Sequence, residues 1–317
     1  MEGPGPFVTV GEMLAVFAAP PGEALETAPS LRVFAAGAEF NVATGLRRLG
    51  VPSAFFGAVG DDPWGRRLVR QGRAEGVDMD GVRVVPDRPT AVLFRDALGP
   101  GGSPRVHYLR RAAAGSAYAP DEALARAVGR ARGVHTTGIS LCLSPSLAGA
   151  ALAALAGAPA GALRSFDLNV RRKVADPPAW RHAWRQVEER LDVAFATVQE
   201  LEDVGLDPAE VGEGASRRGT TLVLRDDDGP TRIVGPDGRF EVPRPAPAGP
   251  ALDTVGAGDA FAAAVLALRL DGVPWPEAVC AGHLAGARSV TVLGDVEGSP
   301  DRSELDRLRA GTAPAGR

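Results

Sequence analysis

The feature that most limits the fold is an alternation of helical and strand patterns from residue 121 onward. Helical patterns at 121–131, 145–156 and 178–190 each precede a short apolar run, at 133–137, 163–167 and 192–196. Strands joined through helices lie parallel, and a parallel sheet needs helices over both faces. Strand patterns follow at 220–225, 231–234 and 239–242, then helical patterns at 257–270 and 275–289. A strand at 7–10, a helix at 39–49 closed by Gly50, a strand at 53–59 and a helix at 64–74 open the chain in the same way. The expected fold class is α/β, with ligands received at the carboxyl ends of the strands.

Two pairs of apolar runs fall outside this alternation: 13–17 with 31–34, and 90–94 with 106–109. They are expected to form a small sheet from segments at about 13–34 and 90–109, the second pair turning at Gly99–Gly102. Such a sheet can close over a site and exclude water, or serve as a dimer surface. The chain is read as one domain over 1–317 with these segments inserted, and the tail from Ala310 as loose.

Composition removes several function classes. The net charge is −4 and no basic run stands out, which argues against nucleic acid or an anionic membrane as partner. The start MEGPGPFVTV has neither a basic beginning nor a long apolar core, and the most apolar run, 147–163, is broken by Gly157, Pro159 and Gly161. A cytoplasmic protein without a membrane span is expected. Cys142 and Cys280 form no framework and read as buried small apolar residues. His107, His135, His182 and His283 show no metal spacing. The one lysine, Lys173, follows Arg172, so a Gly-Lys-Ser/Thr phosphate loop is excluded. Phe261 stands where a dinucleotide fingerprint would need a third glycine after Gly256 and Gly258.

The chemistry concentrates at 251–268, ALDTVGAGDAFAAAVLAL. Glycines let the backbone approach a ligand, and the first amides of a helix favour an anion. Asp259 places a fixed negative charge there. It is either a helix-stabilising acid, contributing about 0.3–1 kcal/mol, or a general base beside a phosphate-binding turn.

Three stretches together resemble the ribokinase/PfkB family of carbohydrate kinases. Asp253-Thr254-Val255-Gly256-Ala257-Gly258-Asp259-Ala260-Phe261 is similar to its C-terminal signature. Gly37-Ala38-Glu39-Phe40-Asn41-Val42-Ala43 and Gly57-Ala58-Val59-Gly60-Asp61-Asp62-Pro63-Trp64-Gly65 resemble its two N-terminal motifs. The resemblance implies a ribokinase-like three-layer sandwich with a mostly parallel central sheet and a β-sheet lid. It also implies transfer of the ATP γ-phosphate to a sugar hydroxyl, and dimers formed through the lid. Asp259 would be the base, and the amides of Gly256, Ala257 and Gly258 the anion hole.

Within the family, the chain most resembles the 2-keto-3-deoxygluconate kinases. The stretches concerned are Tyr108-Leu109-Arg110 with Ala114-Gly115-Ser116-Ala117, Asp167-Leu168-Asn169-Val170-Arg171, and Gly294-Asp295-Val296-Glu297-Gly298. The resemblance implies sugar contacts from Gly37, Asn41, Tyr108, Arg110, Asn169 and Arg171, with the arginines on the substrate carboxylate. An ordinary surface ion pair is the alternative for each arginine. Val16 occupies the position of a sugar-binding aspartate in fructokinase-like chains, which suits an acidic substrate. Leu93 replaces a tyrosine often found near the first lid strand.

The nucleotide side departs further. The family's Lys-x-Gly-x-x-Gly is here Arg225-Asp226-Asp227-Asp228-Gly229-Pro230, its aspartates reading as a solvated turn. Thr197 stands for an asparagine in Asn-x-x-Glu, and His283 for an asparagine near the adenine. Thr197, Arg225, Gly229, Gly256, Gly258 and His283 are the implied ATP contacts. Glu200 would help organise Mg²⁺, and Asp253 with Thr254 would face K⁺. The partners expected are ATP and a sugar acid; a neutral ketose or nucleoside kinase, or a weakly catalytic sugar-binding protein, are the alternatives.

Overall fold

The computed structural model describes residues 5–96, 105–227, 229–245 and 251–312. Among the described residues, nine strands form the large sheet, in the spatial order Gly238–Val242, Thr231–Gly235, Thr221–Arg225, Val193–Thr197, Leu163–Asp167, Gly133–Thr137, Phe7–Val10, Ser53–Gly60, Val82–Val85. All neighbours are parallel from Thr221–Arg225 to Val82–Val85, while the two outer pairings at the other edge are antiparallel. The link at 226–230 is too short for a helical crossover, so the chain there can only turn back on itself.

The central strands are apolar on both sides. Phe7, Val193 and Phe195 face a core built with helices Ala257–Leu270 and Trp275–Ser289. Val8, Val10, Ala194 and Ala196 face the opposite core, with helices Pro145–Gly157 and Pro177–Val187. Three layers follow from this double burial. Fully buried anchors such as Phe166, Phe195, Trp180 and Trp184 each contribute on the order of 1.5–3 kcal/mol or more.

Helix Ala257–Leu270 is buried without interruption from Ala260 to Leu268, which explains why it shows no polar face. Its alanines let helix Ala38–Arg48 come close: a Cβ on Gly45 would lie 2.6 Å from the Ala263 Cβ. The sequence therefore fixes both the burial of this helix and the depth at which its N-terminus sits.

The four out-of-pattern runs form a separate sheet, ordered Arg32–Ala36, Leu14–Ala18, Ala91–Arg95, Val106–Leu109. Its central pair is parallel and its outer pairs antiparallel. The turn expected at Gly99–Gly102 lies outside the described residues.

Several short elements carry too few large apolar residues to stand out in the sequence: strand Val82–Val85 and helices Gly138–Leu143, Val198–Asp203, Pro208–Arg217 and Arg302–Thr312. Caps start some of them. Asp207 accepts the amides of Ala209 and Glu210, with Pro208 behind it. The helix expected over 121–131 is shorter, Glu122–Val128, and stops at Gly129. The loose tail expected from Ala310 is helical as far as Thr312. Both cysteines are half-buried rather than buried. Among the described residues, no helix is long and apolar enough to cross a membrane.

Candidate active site

The N-terminus of helix Ala257–Leu270 opens at the carboxyl ends of the central strands. Gly256 precedes it at φ 79°, in the left-handed region, and a Cβ there would stand 2.0 Å from the Asp295 carbonyl oxygen. Only glycine satisfies both conditions. Gly256→Ala is expected to cost about 1–3 kcal/mol in backbone strain alone, read as a lowered melting temperature, and to reduce turnover in the same variant.

Asp259 is the third residue of this helix, within its first turn. Its Oδ2 accepts a hydrogen bond from Asn41 Nδ2 at 2.7 Å. The carboxylate lines an open cavity of about 860 Å³, and desolvation by the surrounding protein raises its pKa to about 7. The Asn41 bond and Arg171 act against this rise, while the Asp167 and Asp295 charges add to it. Asp259 is also the acidic residue of the helix's first turn, so its place is compatible with helix stabilisation as well as with a role in the cavity.

The same cavity is lined by Gly37, Asn41, Tyr108, Arg110, Asn169 and Arg171, which brings together all six residues expected to contact sugar. Gly37 precedes helix Ala38–Arg48 at φ 141°, where a Cβ would meet the Glu12 carbonyl oxygen at 2.1 Å. Asn169 is at φ 45°, and its side-chain oxygen is buried without a hydrogen-bond partner. Asparagine tolerates the left-handed region, which explains its place after strand Leu163–Asp167.

The two arginines differ. Arg110 is nearly buried, stacks 5.2 Å above the Tyr108 ring, and pairs with Glu12 at 2.6 Å. Burial raises Glu12 to about 7 despite the neighbouring guanidinium. Arg171 is about half exposed, donates to the Val170 carbonyl at 2.9 Å and stands 4.0 Å from Glu200. The surface-pair alternative therefore fails for Arg110, whose partner is a buried acid in the cavity wall.

Glu200 forms a capping box with Thr197: the Thr197 hydroxyl accepts the Glu200 amide, and Glu200 Oε2 accepts the Thr197 amide. Glu200 Oε1 accepts the Val170 amide at 3.0 Å. Both oxygens of the expected Mg²⁺ residue are thus engaged with backbone. No group of three or more His, Cys, Asp or Glu side chains disposed to hold a metal occurs among the described residues.

A second cavity of about 290 Å³ adjoins the first and is lined by Thr197, Arg225, Arg244, Ala257, Gly258 and His283, among others. Arg225 stands 3.7 Å from Asp167 and 5.3 Å from the Phe261 ring centre. A Cβ on Gly258 would meet its guanidinium at 3.0 Å, so this cation reaches the helix N-terminus. His283 bonds the Thr231 hydroxyl at 2.9 Å, and burial lowers its pKa to about 4, leaving it neutral. Gly229 lines neither cavity; it packs on Asp226. Asp226 and Asp227 also line the smaller cavity, Asp227 exposed and 3.5 Å from Arg244, so the turn expected to lie in solvent borders the site; Asp228 lies outside the described residues.

Asp253 was expected to face K⁺. It pairs instead with Arg95 at 2.6 Å, and the same guanidinium reaches Asp295 at 3.2 Å. Glu12, Glu39 and Asp167 also line the larger cavity, although no motif assigns them a role there. Glu39 is fully buried, accepting the Thr137 amide and the hydroxyls of Thr137 and Ser140. Asp167 is buried, and burial raises its pKa. Glu39, Asp167 and Asp295 stand inside motifs quoted above, so adjacency was a signal for them; nothing local marks Arg95.

Known proteins resemble the chain along nearly its whole length. Residues 7–302 match the family described as pfkB family carbohydrate kinase. The chain is 33% identical to a 2-dehydro-3-deoxygalactonokinase of Haloferax volcanii, over 96% of this chain and 97% of that one. It is 31% identical to a 2-dehydro-3-deoxygluconokinase of Bacillus subtilis, over 94% and 93% of the two chains. A fructokinase of Klebsiella pneumoniae is also 31% identical, over 86% and 90%. A ribokinase-II-like protein of E. coli, solved in complex with ATP and Mg²⁺, superposes with a TM-score of 0.86 at 25% identity, covering 97% of this chain and 99% of that one. The chain belongs to the pfkB family of carbohydrate kinases.

Proposed function

We propose that this kinase transfers the ATP γ-phosphate to a hydroxyl of a sugar acid, and that its substrate is 2-keto-3-deoxygluconate, phosphorylated at the 6-hydroxyl. The observation that carries the reading is Asp259, fixed by Asn41 at 2.7 Å, in one cavity with Arg110 and Arg171. Because Asn41 holds Oδ2, Oδ1 is left to take the hydroxyl proton as the phosphoryl group arrives. The first amides of the helix after Gly256 then face the transferring group, as unpaired helix-end donors do. Arg110 and Arg171 would hold the carboxylate end. The cavity beside Arg225, Arg244 and His283 suits the nucleotide.

When bound with ATP, Mg²⁺ offsets phosphate charge. Glu200 and Asp167 line the larger cavity and would face it through water, since Glu200 already serves two amides. The small sheet, which contributes Leu14, Val16, Leu93, Arg95, Val106 and Tyr108 to the cavity wall, would act as its lid.

A neutral ketose is the second reading, because Glu12 already compensates the Arg110 charge. Magnesium-dependent turnover of ATP over a panel of sugar acids, ketoses and nucleosides decides between them. The sugar acid is expected to give the highest kcat/KM. A ketose in first place would overturn the acid assignment, and sugar binding without turnover would indicate a binding protein on this fold.

A further inference from the structure

Arg95 ends the strand Ala91–Arg95 of the small sheet, yet its side chain leaves that sheet and is only 3% exposed. One nitrogen donates to Asp253 at 2.6 Å and another to Asp295 at 3.2 Å, both of them buried carboxylates. Each carboxylate belongs to a segment that shapes the phosphate-binding turn. Asp253 Oδ1 accepts the Val255 amide at 3.2 Å, and Asp253 Oδ2 accepts the Gly294 amide at 3.1 Å. Asp295 presents its backbone to Gly256, where any Cβ would collide with it. The guanidinium is therefore one contact from Val255 and one contact from Gly256, on either side of the turn.

Two carboxylates buried side by side repel each other and are costly without a cation between them. A metal ion could meet that need only through oxygen atoms. Here nitrogen donors already face both carboxylates, so a monovalent metal ion does not fit beside Asp253 without displacing Arg95. We propose that Arg95 is a built-in cation and a positioning residue: it sets the geometry of the anion-hole turn from the small sheet, in the place where a dissociable monovalent cation would otherwise act. The kinase then works independently of K⁺, and the small sheet is coupled to the turn through one side chain. The inference rests on membership of the kinase family and not on which sugar is phosphorylated.

The test compares the intact protein with Arg95→Ala and Arg95→Lys in potassium, sodium and tetramethylammonium chloride. MgATP affinity is read by calorimetry, and turnover on whichever acceptor the panel identifies. For the unaltered protein both are expected to agree within about twofold across the three salts, since no site there waits for an ion. Arg95→Ala is expected to weaken MgATP binding or turnover about tenfold to a hundredfold, as loss of a charge-assisted contact would. The sugar KM should move less, and millimolar guanidinium or K⁺ should restore much of the loss. Arg95→Lys, which keeps one charge, should lose less; it carries the test if the alanine variant does not fold. Strong stimulation of the unaltered protein by K⁺, or an alanine variant indistinguishable from it, would overturn the proposal. So would a loss in a folded variant that no added cation relieves. Calorimetry needs no acceptor, so failure of the sugar assignment leaves this test intact.

Discussion

Asp259→Asn is expected to lower kcat by about 10²–10⁴-fold while leaving sugar and MgATP binding nearly unchanged, because general-base assistance acts mainly in the transition state. The substitution keeps the shape of the side chain, and its amide oxygen can still accept the Asn41 hydrogen bond. The pH profile offers an independent reading. Burial holds the Asp259 carboxyl at about 7, so the base is protonated and inactive below that value. kcat/KM should therefore rise with pH to a plateau above about 7, and the asparagine variant should lose that limb.

Stability should move in the opposite direction. A carboxyl whose pKa is raised on folding binds more protons folded than unfolded between about pH 4 and 7. It favours the fold below that window, and the advantage is lost as pH rises through it. The asparagine variant avoids the cost of the buried charge and should melt higher at pH 8, by about 1–3 kcal/mol, reduced because one side of the carboxylate faces the open cavity. Thermal melts at pH 5 and pH 8 check this. A variant that is active, or that loses stability most at pH 8, would remove Asp259 from the base role.

Arg110→Gln should give the second largest effect, and a selective one. Its guanidinium is nearly buried beside Glu12, whereas that of Arg171 is half exposed. A charge-assisted contact in a desolvated wall is worth more than one open to water. For a sugar acid, kcat/KM should fall about 10²–10³-fold, and for a neutral analogue by less than about fivefold. Glu12, already at about 7, can take up a proton when its partner is gone, so the variant should still fold. Arg171→Gln should show the same selectivity at smaller size. Equal losses on acid and neutral substrates would sink the carboxylate clamp, and the Glu12–Arg110 pair would then read as part of the wall.

Much of this architecture was legible in local patterns. The strand Phe7–Val10, the alternation after residue 121 and the small-sheet runs each carry their own apolar signature. Helix Pro208–Arg217 was not legible in that way; it rests on its Asp207 cap more than on an unbroken apolar face. Within the site, Gly37, Asn41, Tyr108, Arg110, Asn169 and Arg171 were all named from motifs, and all line one cavity. What motifs could not supply was pairing. Arg110 with Glu12 spans 98 positions, and Arg95 with Asp253 spans 158.

The sequence by itself determined a glycine turn opening onto an apolar helix. Gly256 and Gly258 make a glycine turn, Asp259 follows Gly256 by three residues, and the alanine-rich run behind them reads as a buried helix. These are properties of neighbouring residues, and chain geometry alone enforces them. The tertiary structure decided the charge state of the site. Burial sets Asp259, Glu12 and Asp295 near 7, Asn41 selects which Asp259 oxygen remains available, and Arg95 reaches Asp253 and Asp295 from another sheet. Desolvation and ion pairing depend on distances between segments far apart in the chain, and those distances exist only once the layers have packed.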